Sequence, residues 1–141
     1  MRVDFYILQG EANRELMACR VCEKAWQQGM PAFVLTESGN HAQQLDDLLW
    51  TFNDGGFLPH QLDDQAAFTI DDKPVTTIGW RGLPENGFPL LINLSETIPE
   101  GYQRFERIAE IVNQNEVIKQ SGRRRFAQYR AEDCELFHHE L

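Results

Sequence analysis

The sequence predicts an α/β fold with a mainly parallel central sheet. Strand-like and helix-like segments alternate through residues 3–50, which favours a parallel sheet with right-handed crossovers. Residues 32–35 form an apolar run without alternation, as expected for a strand that is covered on both faces. The length of 141 residues suits one domain with a sizeable core. We therefore expect residues 1–141 to form a single domain.

The first elements follow from residue type and spacing. Residues 3–8 are aromatic and β-branched, which predicts a strand. Residues 13–28 carry apolar side chains at spacings of three and four, which predicts an amphipathic helix. After the buried strand, Ser38 or Asn40 can cap a second helix that ends at Trp50.

The second half of the chain mixes loops, short strands and a final helix. Gly, Pro and Asp punctuate residues 51–74, which predicts a long loop-rich stretch. We expect five further elements, namely strands at 75–78 and 90–94, a short helix carrying Tyr102, Phe105 and Ile108, a last short strand at 111–112, and a final helix at 116–132.

Basic residues concentrate in one segment of an acidic chain. The formal net charge is −9, yet residues 119–130 hold five of the 13 Lys and Arg residues and no acidic residue. A positive patch on an acidic body favours binding of an anion, which could be nucleic acid, a phosphate metabolite or an acidic peptide. The acidic remainder argues against general coating of DNA, because non-specific binding requires the neutralisation of many phosphates.

Motifs for catalysis, metals and membranes are missing from the sequence. Cys19 and Cys22 fall mid-helix on the apolar side, which favours buried thiols over a zinc or redox site. The paired aspartates at 46–47, 63–64 and 71–72 have no accompanying ligand motif and are expected on the surface. No phosphate loop and no membrane-length apolar stretch occurs. We therefore expect a protein that has no enzymatic activity and binds no metal, cofactor or membrane. We expect it to reside in a reducing cytoplasm.

The loop after the second predicted helix is unusually rich in large apolar residues. Trp50, Phe52, Phe57 and Leu58 crowd a stretch that is otherwise made of turn formers. Such side chains are either buried under the loop or exposed to a partner. Trp and Phe are typical interface anchors, because one rigid side chain buries a large area at low entropic cost.

The final helix places cations around an aromatic residue. Lys119, Arg123, Phe126 and Arg130 are three or four residues apart and therefore share one face. This pattern suits a target with carboxylates and an apolar group, or single-stranded nucleic acid bound by stacking and charge. A solvated face with the aromatic ring packed inward has the same pattern.

Three motifs resemble the chi subunit family of bacterial DNA polymerase III holoenzyme. They are Leu-Asp-Asp-Leu-Leu-Trp at 45–50, Phe-Leu-Pro-His at 57–60, and the basic positions of 119–130. The likeness extends from the first strand to about Arg130. It implies a three-layer, Rossmann-like α/β domain without nucleotide chemistry. It also implies a non-enzymatic adaptor in the clamp-loader assembly, working in the cytoplasm.

The resemblance further implies two protein partners. It assigns Trp50, Phe57, Pro59 and His60 to an interface with the psi subunit, a region that also contacts a helicase-like repair protein in the family. The second partner is the acidic C-terminal tail of single-stranded DNA-binding protein. For the tail pocket the matching positions are Val112, Lys119, Arg123, Phe126 and Arg130. Contact with DNA would then be indirect.

Chemistry suggests a role for each residue of that pocket. Arg123 suits the terminal carboxylate of the tail, Val112 and Phe126 suit its apolar side chain, and Lys119 and Arg130 suit its aspartates at the rim. Ala127 departs from the family pattern, in which a further basic residue can occur at this position. Tail binding is therefore weaker, or Arg124 or Arg125 compensates. The alternative function is direct binding of single-stranded nucleic acid by the same helix.

Overall fold

The computed structural model describes residues 1–53, 56–65 and 69–141. Asp54 and Gly55, part of the loop predicted at 51–74, lie outside the described residues. The helices are α1 (Arg14–Gln27), α2 (Gly39–Thr51) and α3 (Glu116–Ala131), with a short 3-10 helix at Tyr102–Arg104. The strands are β1 (Arg2–Ile7), β2 (Ala32–Leu35), β3 (His60–Leu62), β4 (Thr69–Ile70), β5 (Lys73–Pro74), β6 (Thr76–Gly79), β7 (Leu90–Asn93), β8 (Arg107–Val112) and β9 (Glu135–Glu140).

A seven-stranded sheet forms the centre of the fold, in the order β3-β6-β2-β7-β8-β1-β9. Every pairing within it is parallel. The first strand of the chain therefore lies between the last two, with Phe5 opposite Glu110 on one side and His138 on the other. Strands β4 and β5 form a separate antiparallel pair. The parallel α/β fold predicted from the sequence is confirmed.

Helices cover both faces of this sheet and give three layers. Helices α1 and α2 pack on one face through residues such as Cys22 and Leu45, against Ile92 of β7. Helix α3 and the 3-10 helix pack on the other face, where Tyr129 contacts an apolar cluster that includes Val3 of β1. Because side chains alternate along a strand, neighbouring residues of β1 and β8 contribute to opposite layers.

Side-chain caps fix where each helix begins. The side chains of Asn13 and Ser38 accept hydrogen bonds from backbone N–H groups in the first turns of α1 and α2. Asn115 does the same for α3, accepting from the N–H groups of Val117 and Ile118. The start of α3 is thus set a few residues after the end of β8, which directs the basic helix back over the sheet.

Three expectations for the second half of the chain are wrong. Residues 111–112 are the end of the longer strand β8, and they are not the last strand, because β9 follows α3. The predicted short helix is a single 3-10 turn, since Ile108 belongs to β8. The loop-rich stretch contains β3, which is short but pairs with β6.

Candidate functional site

A cleft of about 310 Å³ lies between α3 and the part of the sheet formed by β8, β1 and β9. We call it the α3 cleft. It brings together four of the five residues predicted for the tail pocket, namely Val112, Lys119, Arg123 and Phe126, whereas Arg130 is exposed farther along the helix and does not line it. The lining residues are Phe5, Ile7, Val112, Asn113, Gln114, Lys119, Gly122, Arg123, Phe126, His138 and Glu140.

The floor of the α3 cleft is apolar. The half-buried ring of Phe126 packs edge-on against Phe5, with 5.3 Å between ring centroids. Val112 at the end of β8 is buried beside them. Helix α3 can approach this strand because position 122 is glycine: a Cβ there would lie 2.6 Å from Cγ1 of Val112. The floor therefore depends on close packing between α3 and β8.

Two cations stand at the rim of this floor. Lys119 is half-buried and Arg123 is exposed, and they lie one helical turn apart. Neither forms an ion pair with another residue in the described part of the chain. Glu140 of β9 adds one carboxylate to the lining. A pair of neighbouring cations without acidic partners is suited to a bound anion.

Arg125 does not belong to this basic surface, contrary to the expectation that it could compensate for Ala127. Its side chain is 3% exposed. Its Nε donates to Oε1 of Glu110 at 2.9 Å, and its Nη1 donates to Oγ of Ser121 and to the carbonyl of Glu96. The guanidinium is therefore held inside the protein through Nε and Nη1, on the side of α3 that faces the sheet.

Glu110 is the centre of a buried network that holds α3 on the sheet. Its Oε2 accepts hydrogen bonds from Nδ2 of Asn93 at 2.9 Å and from the hydroxyl of Tyr129 at 2.8 Å. Burial raises the pKa of Glu110, while the charge of Arg125 acts in the opposite direction. Burial and the neighbouring carboxylate also raise the pKa of Tyr129. Since every partner donates to Glu110, this carboxylate acts only as an acceptor.

The other basic residues of α3 point to solvent. Arg124 and Arg130 are exposed and do not line the α3 cleft. The same is true of Ala127, which lies between them in the sequence. Arg130 lies about 10 Å along the helix axis from Arg123, at 1.5 Å per residue. An extended ligand only a few residues long would span that distance.

The second predicted surface is an exposed pair of aromatic rings at the end of α2. Trp50 is 59% exposed and Phe57 is 72% exposed, with 6.1 Å between ring centroids. We call this pair the aromatic patch. Phe52 is half-buried and Leu58 is buried. Two of the four large apolar side chains in this loop are thus exposed, and the other two pack inward.

Pro59 and His60 do not belong to the exposed aromatic patch. Both are buried, and the His60 ring stacks at a tilt against Trp50 with 4.6 Å between centroids. Nδ1 of His60 donates to the carbonyl of Leu58 at 2.7 Å, because a carbonyl can only accept. Its Nε2 lies 3.4 Å from the carboxylate of Asp46. These contacts fix the ring that supports Trp50.

The two cysteines of α1 are buried, as predicted. Burial raises the pKa of Cys19 to about 12 and raises that of Cys22 as well, which keeps both as thiols. No cluster of three potential metal ligands is found among the described residues. None of the described helices combines the length and the apolar character that crossing a bilayer requires.

Seven residues of the α3 cleft were missed in the sequence, and four of them lie on strands β1 and β9. Phe5 and Ile7 alternate along β1, but only the position of α3 reveals which side they line. His138 and Glu140 come from β9, whose mixed polar sequence carries little strand signal. The strand is identified by its pairing with β1 rather than by its composition.

Comparison with known proteins gives a consistent family match. A family model described as DNA polymerase III chi subunit, HolC, matches residues 1–137. The chain is 36% identical to the DNA polymerase III subunit chi of Pseudomonas aeruginosa over 142 aligned positions, covering 99% of this chain and 96% of the relative. The subunit chi of Haemophilus influenzae is 29% identical, with 94% and 92% covered. That of Escherichia coli is 23% identical, with 89% and 88% covered.

A solved structure shares the fold at much lower identity. The crystal structure of T4 UvsW superimposes with a TM-score of 0.67 and 11% identity. The match covers 99% of this chain and 41% of that protein. At this identity the likeness concerns the arrangement of helices and strands alone.

Proposed function

Because the chain belongs to the DNA polymerase III chi subunit family, whose members are accessory subunits of replication, we propose that it is a non-catalytic adaptor. It binds the psi subunit through one surface and the acidic C-terminal tail of single-stranded DNA-binding protein through another. Its link to DNA is then indirect, through the protein that coats the single strand. The adaptor works in the cytoplasm as part of the clamp-loader assembly.

The observation that carries the tail assignment is the α3 cleft, with unpaired cations above an apolar floor. A tail with several aspartates, an apolar last residue and a free carboxylate is complementary to such a cleft. Arg123 binds the terminal carboxylate, Val112 and Phe126 take the apolar side chain, and Lys119 meets the aspartates. Arg130 extends the basic path along α3 for the more distant aspartates.

Truncation of Arg123 tests this assignment. Arg123→Ala should weaken binding of a synthetic acidic tail peptide about tenfold or more, because it removes the charge-assisted contact with the terminal carboxylate. Fluorescence anisotropy of a labelled peptide measures the affinity. Arg124→Ala is a matched control, since it removes the same charge from the adjacent exposed position outside the cleft. Equal affinities for both variants and wild type would contradict the assignment.

The aromatic patch supports the psi assignment. Trp50 and Phe57 expose large apolar rings, as expected for anchors of a stable protein interface. His60 contributes by packing against the ring of Trp50, and Pro59 lies beside it in the sequence. A helicase-like repair protein that uses the same patch would compete with psi.

A pull-down with psi tests the aromatic patch. Trp50→Ala and Phe57→Ala should each lose psi while retaining the affinity for the tail peptide. Val117→Ala is the control, because Val117 is a 69% exposed apolar residue on a different surface. Retention of psi by both aromatic variants would exclude this patch as the interface.

The alternative function, direct binding of single-stranded nucleic acid, can be tested separately. Burial of Arg125 removes one cation from the basic helix face, which leaves few charges for phosphate contacts. A mobility-shift assay with a bare oligonucleotide should therefore show no complex at micromolar protein. A shift that weakens steeply with salt would support the nucleic-acid function instead.

A further inference from the structure

A second cleft lies on the opposite face of the sheet, against α1, with a volume of about 370 Å³. We call it the α1 cleft. Its walls come from α1, from the turn after it, from strands β1, β7 and β8, and from Leu141, which follows β9. The lining residues are Tyr6, Met17, Arg20, Val21, Lys24, Ala25, Gln28, Met30, Leu90, Arg107, Ala109 and Leu141.

Basic side chains outnumber acidic ones in the lining of the α1 cleft. Arg20 and Lys24 are both exposed and lie one turn apart on α1, where like charges repel each other. Within the described part of the chain, neither side chain has an ion-pair partner. No Asp or Glu side chain is among the described lining residues. On a chain with a net charge of −9, such a concentration of cations is suited to an anionic ligand.

A third cation of the cleft is only partly neutralised. Nε of Arg107 lies 2.8 Å from Oδ2 of Asp4. The same carboxylate also pairs with Arg2 at 3.0 Å and with Nε2 of His139 at 2.8 Å. One negative charge is therefore shared among several donors, so Asp4 neutralises Arg107 only in part.

Apolar side chains form the base of the α1 cleft. Met17, Val21 and Met30 are half-buried and pack on the core, while Ala25 and Leu90 are buried beneath them. Unbranched methionine side chains adapt to ligands of different shape. A ligand that carried charge alone would leave this apolar surface unused, so the ligand class is an anion with an apolar group.

The two clefts are built alike on opposite sides of β1. Phe5 and Ile7 of this strand line the α3 cleft, and Tyr6 between them lines the α1 cleft. Each cleft has two cations one helical turn apart above an apolar base. In the α3 cleft they are Lys119 and Arg123, and in the α1 cleft they are Arg20 and Lys24.

We propose that the α1 cleft is a second binding site for an acidic peptide with an apolar side chain, of the same chemical class as the ligand of the α3 cleft. The choice of ligand class rests on the proposed function. One molecule would then hold two acidic segments on opposite faces of its sheet. With a partner that displays more than one such segment, the second contact would become intramolecular and raise the overall avidity.

Titration of the full chain with a peptide of several aspartates and an apolar last residue tests this proposal. Isothermal titration calorimetry should give two sites for wild type. Arg20→Gln/Lys24→Gln should weaken one of them about threefold to tenfold, as expected for the loss of two exposed ion pairs. Arg123→Ala should remove the other site and leave this one.

A control pair separates the cleft from general charge. Arg81→Gln/Arg124→Gln lowers the net charge equally and touches neither cleft. Equal weakening by both double variants would overturn the proposal. So would a single wild-type site that Arg123→Ala abolishes and Arg20→Gln/Lys24→Gln leaves intact, although the proposed function would then stand. A single site with the opposite response would support the α1 cleft and refute the tail assignment to the α3 cleft.

Discussion

Replacement of Arg125 by Met tests whether the buried pair with Glu110 holds α3 on the sheet. The change removes hydrogen bonds to Glu110, Ser121 and Glu96, and it leaves a carboxylate buried without its cation. Loss of one partner of a buried pair costs about 3–5 kcal/mol, so we expect the free energy of unfolding to fall by that amount. Urea unfolding followed by circular dichroism measures it. A loss below about 1 kcal/mol, typical of exposed pairs, would refute the reasoning.

A second substitution separates the charge from the hydrogen bonds. In Glu110→Gln, the amide oxygen can replace Oε2, which accepts from both Asn93 and Tyr129. Alone, this change leaves the charge of Arg125 buried and unpaired, and its cost should be similar. Combined with Arg125→Met it leaves no buried charge. The double variant should therefore lose at least about 2 kcal/mol less than the sum of the single losses. Strict additivity would show that the two side chains are not coupled.

Gly122→Ala would place a methyl group 2.6 Å from Cγ1 of Val112, so thermal denaturation should show a loss of about 1–3 kcal/mol, and an unchanged Tm would contradict this. Burial raises the pKa of Asp4, but hydrogen bonds from its guanidinium and imidazole partners lower it below the ordinary value overall. Stability that this group supplies above about pH 3.9 should be lost as the pH falls through the lower folded value, and Asp4→Asn should flatten that part of the urea-midpoint profile. The Cys19 thiol, whose pKa burial raises to about 12, should resist alkylation in the native protein, whereas the partly exposed Cys134 reacts. Mass spectrometry that finds more than one modified thiol before unfolding would contradict this.

Local signals were sufficient for the elements that are long or fully buried. The run at 32–35 became β2 with the same bounds, and the helix predicted at 13–28 became α1. Strands β3 and β9 were missed for a physical reason. Both lie at the edges of the sheet, where one side of the strand is unpaired and polar residues are tolerated. Their pairing partners are distant in sequence, and no local pattern encodes such partners.

For the site, helical spacing predicted which side chains of α3 share a face, and it placed Lys119, Arg123 and Phe126 correctly beside one another. Spacing alone could not show that Arg125 faces inward. Its burial depends on a carboxylate that β8 supplies, and Glu110 gives no signal of burial in the sequence. The same limit applies to the α1 cleft, because the sequence does not show that Arg20 and Lys24 line the same cleft as Arg107.

The pairing of β1 with β8 and β9 has a consequence for how the chain folds. Arg2 lies opposite Arg107 on one side and Glu135 on the other. The first strand can therefore complete its pairing only after the far end of the sequence has folded onto it. Such non-local pairing raises the contact order and slows folding. Until β9 docks, β1 is an open edge that can pair with other chains. A chain that ends before β9 should therefore aggregate during expression, and slow docking of this last strand should limit the refolding rate of the full protein.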